Sequence, residues 1–164
     1  MPRSGTQWLR LAAIFILAAG CGYVAASVLF TLANLIRLSG IGAEISAADA
    51  WRTILFDLRG MAPSPVELSY GSVIFIGLAI AFTVAAWLRW AASRAATPAP
   101  RRLAPWLFPL AGATAVAVAL LAMYPKYEIW LIAGARGPLG FTAQCLSGAL
   151  AGVVFQGLYF RRKQ

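Results

Sequence analysis

The chain has 164 residues, of which 61% are hydrophobic, and 14 Lys and Arg against 5 Asp and Glu give it a formal net charge of +9. Too little polar sequence remains for a soluble domain with its own core, so we expect one integral membrane domain over residues 1–164. The absence of histidine excludes histidine-ligated haem and zinc and histidine-dependent catalysis, and we expect no cofactor.

Four long runs without a charged residue predict four membrane-spanning helices, at 11–36, 68–88, 103–123 and 139–160. A helix needs about 20 residues, at a rise of 1.5 Å each, to cross roughly 30 Å of hydrocarbon, and every run reaches that length. The predicted fold class is therefore all-α, a bundle of four transmembrane helices.

The charges alternate between the segments that connect these runs. The two terminal segments and the second connection hold nine positive charges and no negative one, whereas the first and third connections hold five of each sign. Because short basic segments stay on the cytoplasmic side, we expect both termini in the cytoplasm. The Arg-rich and Ala-rich composition favours a bacterial source, and hence the inner membrane.

The basic residues beside the predicted spans have a simpler explanation than nucleic-acid binding. They flank apolar runs, and no nucleic-acid recognition fold fits in the remaining sequence, so we exclude nucleic acid as a partner. Anionic lipid headgroups lie at the same depth and attract Lys and Arg. The residues expected to contact headgroups are Arg101, Arg102, Arg161, Arg162 and Lys163.

The first run begins with a segment that also permits another interpretation. Leu17–Cys21 has the residue order of a lipobox, in which the cysteine becomes lipid-anchored. The apolar run continues to Ile36, which is too long for the hydrophobic part of a signal sequence, so we expect a span instead. Within this span, Tyr23, Ser27 and Thr31 form a polar stripe.

The first connection predicts a short amphipathic helix over 47–59. Ser46 and Asp49 have the spacing of an N-terminal capping box, and Gly60 ends the helix. Arg52 and Asp57 are expected to be the better exposed side chains. The apolar face is expected either to lie on the outer membrane surface or to pack over the outer end of the bundle. Candidate partner contacts are Trp51, Ile54, Leu55 and Leu58 on this face, and Trp130 in the third connection.

The third run contains Pro105 and Pro109 near its beginning. Pro105 falls in the opening turn, where a missing N–H has little effect. Pro109 lies a full turn further on, so we expect it to bend the helix.

The last run carries a stripe of small and amide residues with four-residue spacing. Small residues let helix backbones approach closely in lipid, and amides cannot face hydrocarbon without a partner. We expect this face to pack on the first span, with Tyr23 over Gly148 and with Gln144 bonded to Ser27 or Thr31. The alternative is that the polar stripe lines a ligand path. The predicted packing stripe is Gly140, Gln144, Gly148, Gly152 and Gln156.

The spans carry no chemistry that identifies a reaction or a coupled transport mechanism. They hold no ionisable Asp, Glu, Lys or Arg, which pumps and coupled transporters place in mid-membrane. The five acidic residues lie in the external connections, and we attribute them to capping and to pairing with Arg52, Arg59 and Lys126.

We therefore expect a non-catalytic accessory, assembly or stabilising subunit of a larger bacterial inner-membrane complex of respiratory or photosynthetic type. Its partners would be membrane lipids and other membrane-protein subunits. A small uncoupled channel or carrier acting as a homo-oligomer is the first alternative. A lipid- or quinone-handling membrane enzyme is the second.

Overall fold

The computed structural model describes residues 5–63, 69–94, 105–127 and 138–160, with the side chains of 123–127 excepted. All regular structure in these ranges is helical, so the predicted all-α class is confirmed. The five helices are α1 (Gly5–Gly40), α2 (Ala47–Gly60), α3 (Tyr70–Arg94), α4 (Leu107–Tyr127) and α5 (Pro138–Phe160).

Three of the described helices, α1, α3 and α5, are long and apolar enough to cross a membrane. Each of the four charge-free runs falls on a helix, but the helices and the runs have different bounds. Helix α1 extends beyond the first run at both ends, since a helix can continue into a polar environment through Arg10 and Arg37. Helix α4 has 21 residues, and its stretch with described side chains, Leu107–Ala122, is also apolar.

Helix α4 begins four residues later than the charge-free run, and this changes the role of Pro109. The N–H of Leu110 donates to the carbonyl of Trp106 at 2.9 Å, in the first turn of the helix. Pro109 therefore lies where a backbone N–H has no partner within the helix in any case. A proline fits this position at the start of the helix. The bend was expected because Pro109 would lie a full turn inside the helix, and it does not.

Helix α2 begins at the predicted cap. The Ser46 hydroxyl oxygen accepts the N–H of Asp49 at 3.1 Å, and the hydroxyl donates to the Asp49 carboxylate at 2.6 Å. The chain enters this helix through a turn in which Gly42 has a φ of +89°, a conformation that favours glycine. The helix itself agrees with the prediction within one residue; its side of the membrane stays a prediction.

The four longer helices pack in the order α1, α5, α4, α3, and α2 packs on α1. Helices α1 and α3 also meet, over a shorter stretch than the other neighbouring pairs. Gly22 lies against Ala151 while Ala26 lies against Gln144, so α1 and α5 run antiparallel. Helix α2 lies at the end of the bundle where α1 ends and α3 begins.

An aromatic cluster joins the four longer helices toward the end opposite α2. Phe82 of α3 lies 4.8 Å from Phe155 of α5 and 5.9 Å from Phe108 of α4, between ring centroids. Phe15 of α1 contacts Phe82 edge to face at 6.3 Å. Edge-to-face arrangements, as in the pairs of Phe82 with Phe15 and with Phe108, are favourable for aromatic rings, so the cluster gives this part of the core a specific geometry.

Large apolar side chains also cover the outward faces of the helices. Ile16, Ile80, Leu110 and Leu146 are each more than half exposed and lie on four different helices. In water such a surface would be unfavourable, and soluble monomers rarely carry one. The length and composition of the helices together with this surface therefore indicate a membrane protein.

Candidate packing and docking surfaces

Glycines bring the backbones of α4 and α5 into direct contact. A Cβ atom added at Gly148 would lie 2.7 Å from Cγ2 of Val116 and 2.8 Å from the carbonyl carbon of Gly112. One added at Gly152 would lie 2.6 Å from the nitrogen of Pro109. Real Cβ contacts are not this short, so both positions require a residue without a side chain.

This contact differs from the predicted one, in which Gly148 faces Tyr23 on α1. Residues four apart on a helix are offset by about 40°, so a stripe with this spacing winds around the helix. Gln144 accordingly reaches α1 and α3, whereas Gly148 and Gly152 face α4. One sequence stripe therefore serves two different interfaces.

Helices α1 and α5 are neighbours, as predicted, but apart from Gln144 they pack through residues outside the predicted stripes. A Cβ atom at Gly22 would lie 2.8 Å from Cβ of Ala151 and 3.2 Å from the carbonyl oxygen of Ser147. Gly22 is therefore the small residue of α1 that permits the close approach. Tyr23 follows it and points toward α2.

Gln144 connects three helices through one side chain. Its Nε2 donates to the carbonyl oxygen of Ala26 on α1 at 3.1 Å, and its Oε1 accepts from the hydroxyl of Tyr70 on α3 at 2.8 Å. The side chain is only 1% exposed. The predicted partners, Ser27 and Thr31, are therefore wrong: the amide is satisfied by a backbone carbonyl and by a tyrosine.

Two hydrogen bonds fasten α2 to α1. The hydroxyl of Tyr23 donates to the carbonyl oxygen of Leu58. Thr31 Oγ1 lies 2.8 Å from Oδ2 of Asp57 and 3.0 Å from the carbonyl of Ser27, and its single proton can serve one of them at a time. Ser27 is fully buried, and its Oγ has no hydrogen-bond partner among the described residues.

The position of Asp57 corrects the sequence-based expectation for α2. The residue was expected to be better exposed, and the acidic residues as a group were attributed to capping and to pairing with Arg52, Arg59 and Lys126. Asp57 is instead half-buried and lies against Thr31. Within the described part of the chain it forms an ion pair with neither arginine. The helix is therefore rotated so that Asp57, Ile54 and Leu58 lie toward the bundle.

The rotation leaves a second apolar surface on the opposite side of α2. Trp51 is 62% exposed and Phe56 is 77% exposed, and Leu55 between them is about half exposed. Arg52 and Arg59 are exposed on the same side. We call these five residues the α2 outer face. Of the four predicted apolar contacts, Trp51 and Leu55 thus belong to the outer face, while Ile54 and Leu58 are half-buried.

The remaining predicted site residues are distributed as follows. Gly140 is buried near the start of α5, and Gln156 is half-buried near its end, with an Oε1 that has no partner among the described residues. Gln156 lines a cavity with Trp106, Pro109 and Phe160. The predicted headgroup and partner residues outside the described ranges are Arg101, Arg102, Trp130, Arg161, Arg162 and Lys163.

Sequence reasoning missed Gly22, Gly112, Ala26 and Tyr70. Gly112 carries one usable signal, because it is the only glycine in the run 103–123. Tyr70 gives no such signal, since a tyrosine at a span end is equally expected in the aromatic belt at the membrane surface. A backbone acceptor such as the carbonyl of Ala26 leaves no trace in the residue type.

Comparison with known proteins gives no relative: no protein-family model, no curated protein and no solved structure matches the chain.

Proposed function

We propose that the chain is a four-span protein with both termini in the cytoplasm and serves as a non-catalytic accessory, assembly or stabilising subunit of a bacterial inner-membrane complex. The single observation that carries this proposal is the α2 outer face. This helix is fastened to α1 by Tyr23 and Thr31 on one side and presents exposed Trp, Leu and Phe on the other.

The composition of the α2 outer face suits a protein partner. Trp and Arg are enriched among the residues that dominate binding energy at protein interfaces, and Trp51, Arg52 and Arg59 occur together here. Burying Trp51, Leu55 and Phe56 would contribute about 1.5–3 kcal/mol for each fully dehydrated side chain. A partner with apolar and acidic groups would complement this face.

The interior of the bundle supports a structural role over conduction. At one end the four longer helices meet through Phe15, Phe82, Phe108 and Phe155, and α4 and α5 touch along their backbones. A path for a polar solute through these contacts would require the aromatic cluster to separate. A channel would therefore require an oligomer in which the solute passes between copies of the chain.

We expect the double variant Trp51→Ser with Phe56→Ser to lose its partners while retaining its helices. Its apolar contact surface is removed on the exposed side of α2, and the bonds to α1 are untouched. The measurement is the set of chains that co-purify in mild detergent from the native host, with helix content by circular dichroism. Ile41→Ser is the matched control, because Ile41 is 81% exposed at the same end of the bundle but is not on α2.

Three outcomes would count against this proposal. The double variant could retain the same discrete partners as the parent chain, which would remove the α2 outer face from the interface. The parent chain could purify as a homo-oligomer that conducts a solute in liposomes, which is the channel alternative. It could also turn over a lipid or quinone, which is the enzyme alternative.

The proposed topology predicts which side of the membrane labels single cysteines. In a background with Cys21→Ala and Cys145→Ala, Thr97→Cys and Gln164→Cys should react with an impermeant thiol reagent only from the cytoplasm. Ser64→Cys and Glu128→Cys should react only from outside, because the charge balance of their segments permits export. External labelling at Thr97→Cys would overturn the predicted orientation.

A further inference from the structure

A long apolar groove lies between α3 and α4 on the outside of the bundle. Its volume is about 650 Å³, with Gly77, Ala81 and Ala115 among the small residues that line it and Ile80 and Leu110 among the larger ones. Thr114 is the only lining residue whose side chain can form a hydrogen bond. The groove therefore suits an apolar occupant that lies along the helices.

The dimensions of the groove favour an alkyl chain over a helix. Along α3 it extends from Val73 to Leu88, about 22 Å at 1.5 Å per residue. The volume spread over that length gives a mean cross-section of about 30 Å², roughly a third of the area of a helix with its side chains. A neighbouring helix could insert only its side chains, whereas an alkyl chain can enter along its length.

The charge at one end of the groove identifies the class of headgroup. Arg94 follows Ile76 by 18 residues, which is five full turns, so it lies on the same side of α3 as the groove. Its guanidinium is stacked over the ring of Trp90 at 3.6 Å, and the residue is exposed. Neither α3 nor α4 contains an acidic residue.

Exposed tryptophans mark the same end of the groove as a membrane surface. Trp87, Trp90 and Trp106 are each more than half exposed, next to the groove residues Leu88 and Leu107. Tryptophan is enriched at the level of lipid headgroups, where its ring is apolar and its N–H is wet. An occupant that enters from this surface would place its polar part beside Arg94.

We propose that the α3–α4 groove binds an anionic phospholipid, with an acyl chain in the groove and the phosphate beside Arg94. One leaflet of hydrocarbon is about 15 Å deep, which is the rise of about ten helical residues, so a chain that enters the groove at Leu88 would pass Ala81. This site depends on membrane insertion but not on the proposed role as a subunit. The two ideas therefore stand or fall separately.

The test is native mass spectrometry of the full chain after incubation with phosphatidylglycerol or with phosphatidylcholine of the same acyl chains. We expect preferential retention of phosphatidylglycerol. Arg94→Gln should reduce that preference about fivefold, the effect of one headgroup attraction, whereas Arg52→Gln on α2 should leave it unchanged. Ala81→Phe should reduce retention of both lipids, and Ala13→Phe, at an exposed position on α1, should not.

The outcomes separate the possible occupants. Equal retention of the two lipids by the parent chain, or an unchanged preference in Arg94→Gln, would overturn the anionic site. Loss of a co-purifying membrane protein in Ala81→Phe, without loss of lipid, would assign the groove to a partner helix and would also overturn it. Because Arg94 is exposed, Arg94→Gln should fold. This variant therefore tests the anionic site even if Ala81→Phe does not accumulate.

Discussion

Gly148→Ala should destabilise the folded protein by about 3 kcal/mol, and Gly148→Leu should prevent the assembly of α4 on α5. The added Cβ would overlap the carbonyl group of Gly112 and lie 2.7 Å from Val116. The obstruction includes backbone, which cannot rotate away like a side chain, so the helices must separate. Overpacking of this kind typically costs about 1–3 kcal/mol, and a loss of aligned contacts along the interface places the effect at the upper end.

Gly157→Ala is the matched control because it lies on the same helix and nothing would meet its Cβ within 4 Å. This change should stabilise the protein by about 0.5–1 kcal/mol through the higher helix propensity of alanine. Both variants are compared by unfolding in mild detergent with increasing denaturing detergent, followed by circular dichroism. Equal effects of the two substitutions would show that the glycine contact does not hold α4 and α5 together.

Gln144→Leu should destabilise the protein by about 2 kcal/mol. The substitution keeps the volume of the side chain but removes the acceptor for the Tyr70 hydroxyl and the donor to the carbonyl of Ala26. A buried hydroxyl without a partner costs about 1–3 kcal/mol. A single hydrogen bond between membrane helices contributes less, about 0.6–1.7 kcal/mol. We therefore expect the loss of both bonds together to account for the destabilisation.

A double-mutant cycle with Tyr70→Phe isolates the bond between α3 and α5. The coupling free energy between Gln144→Leu and Tyr70→Phe should be about 1 kcal/mol, with the double variant little worse than Gln144→Leu alone. Additive effects of the two substitutions would indicate that Tyr70 and Gln144 act independently. In that case the bond between Gln144 and Ala26 would account for the loss.

The sequence was sufficient to predict the helices and one neighbouring pair, but not the residues through which the helices pack. Charge-free runs and the Ser46 cap placed the five helices of the described ranges, because both signals are local and arise from hydration and from backbone hydrogen bonding. The neighbouring positions of α1 and α5 also followed, since polar stripes inside a membrane must face protein. Depth along the helix axis can be read from residue number, which is why Gln144 was placed near Ser27.

The rotation of each helix about its axis, which determines the neighbour that each residue faces, could not be predicted from the sequence. Gly148 was assigned to α1 but faces α4, and Asp57 was assigned to solvent but faces Thr31. In both cases the position along the helix was compatible with more than one environment, and the packing of all the helices together decides between them. The α2 outer face was only half predicted for the same reason.

The order of the helices in space bears on how the protein is made. Helix α5 lies between α1 and α4 and fills the positions that Gly22 and Gly112 leave open, yet it follows both of them in the chain. During synthesis α1, α3 and α4 are therefore complete before the surface on which two of them pack is available. Domains generally fold as units during synthesis, and here the unit closes only with its last described helix. Until then the glycine faces and Phe82 and Phe108 remain open to lipid and to other nascent helices, so ribosomal pausing before Pro138 would extend the period in which misassembly can occur.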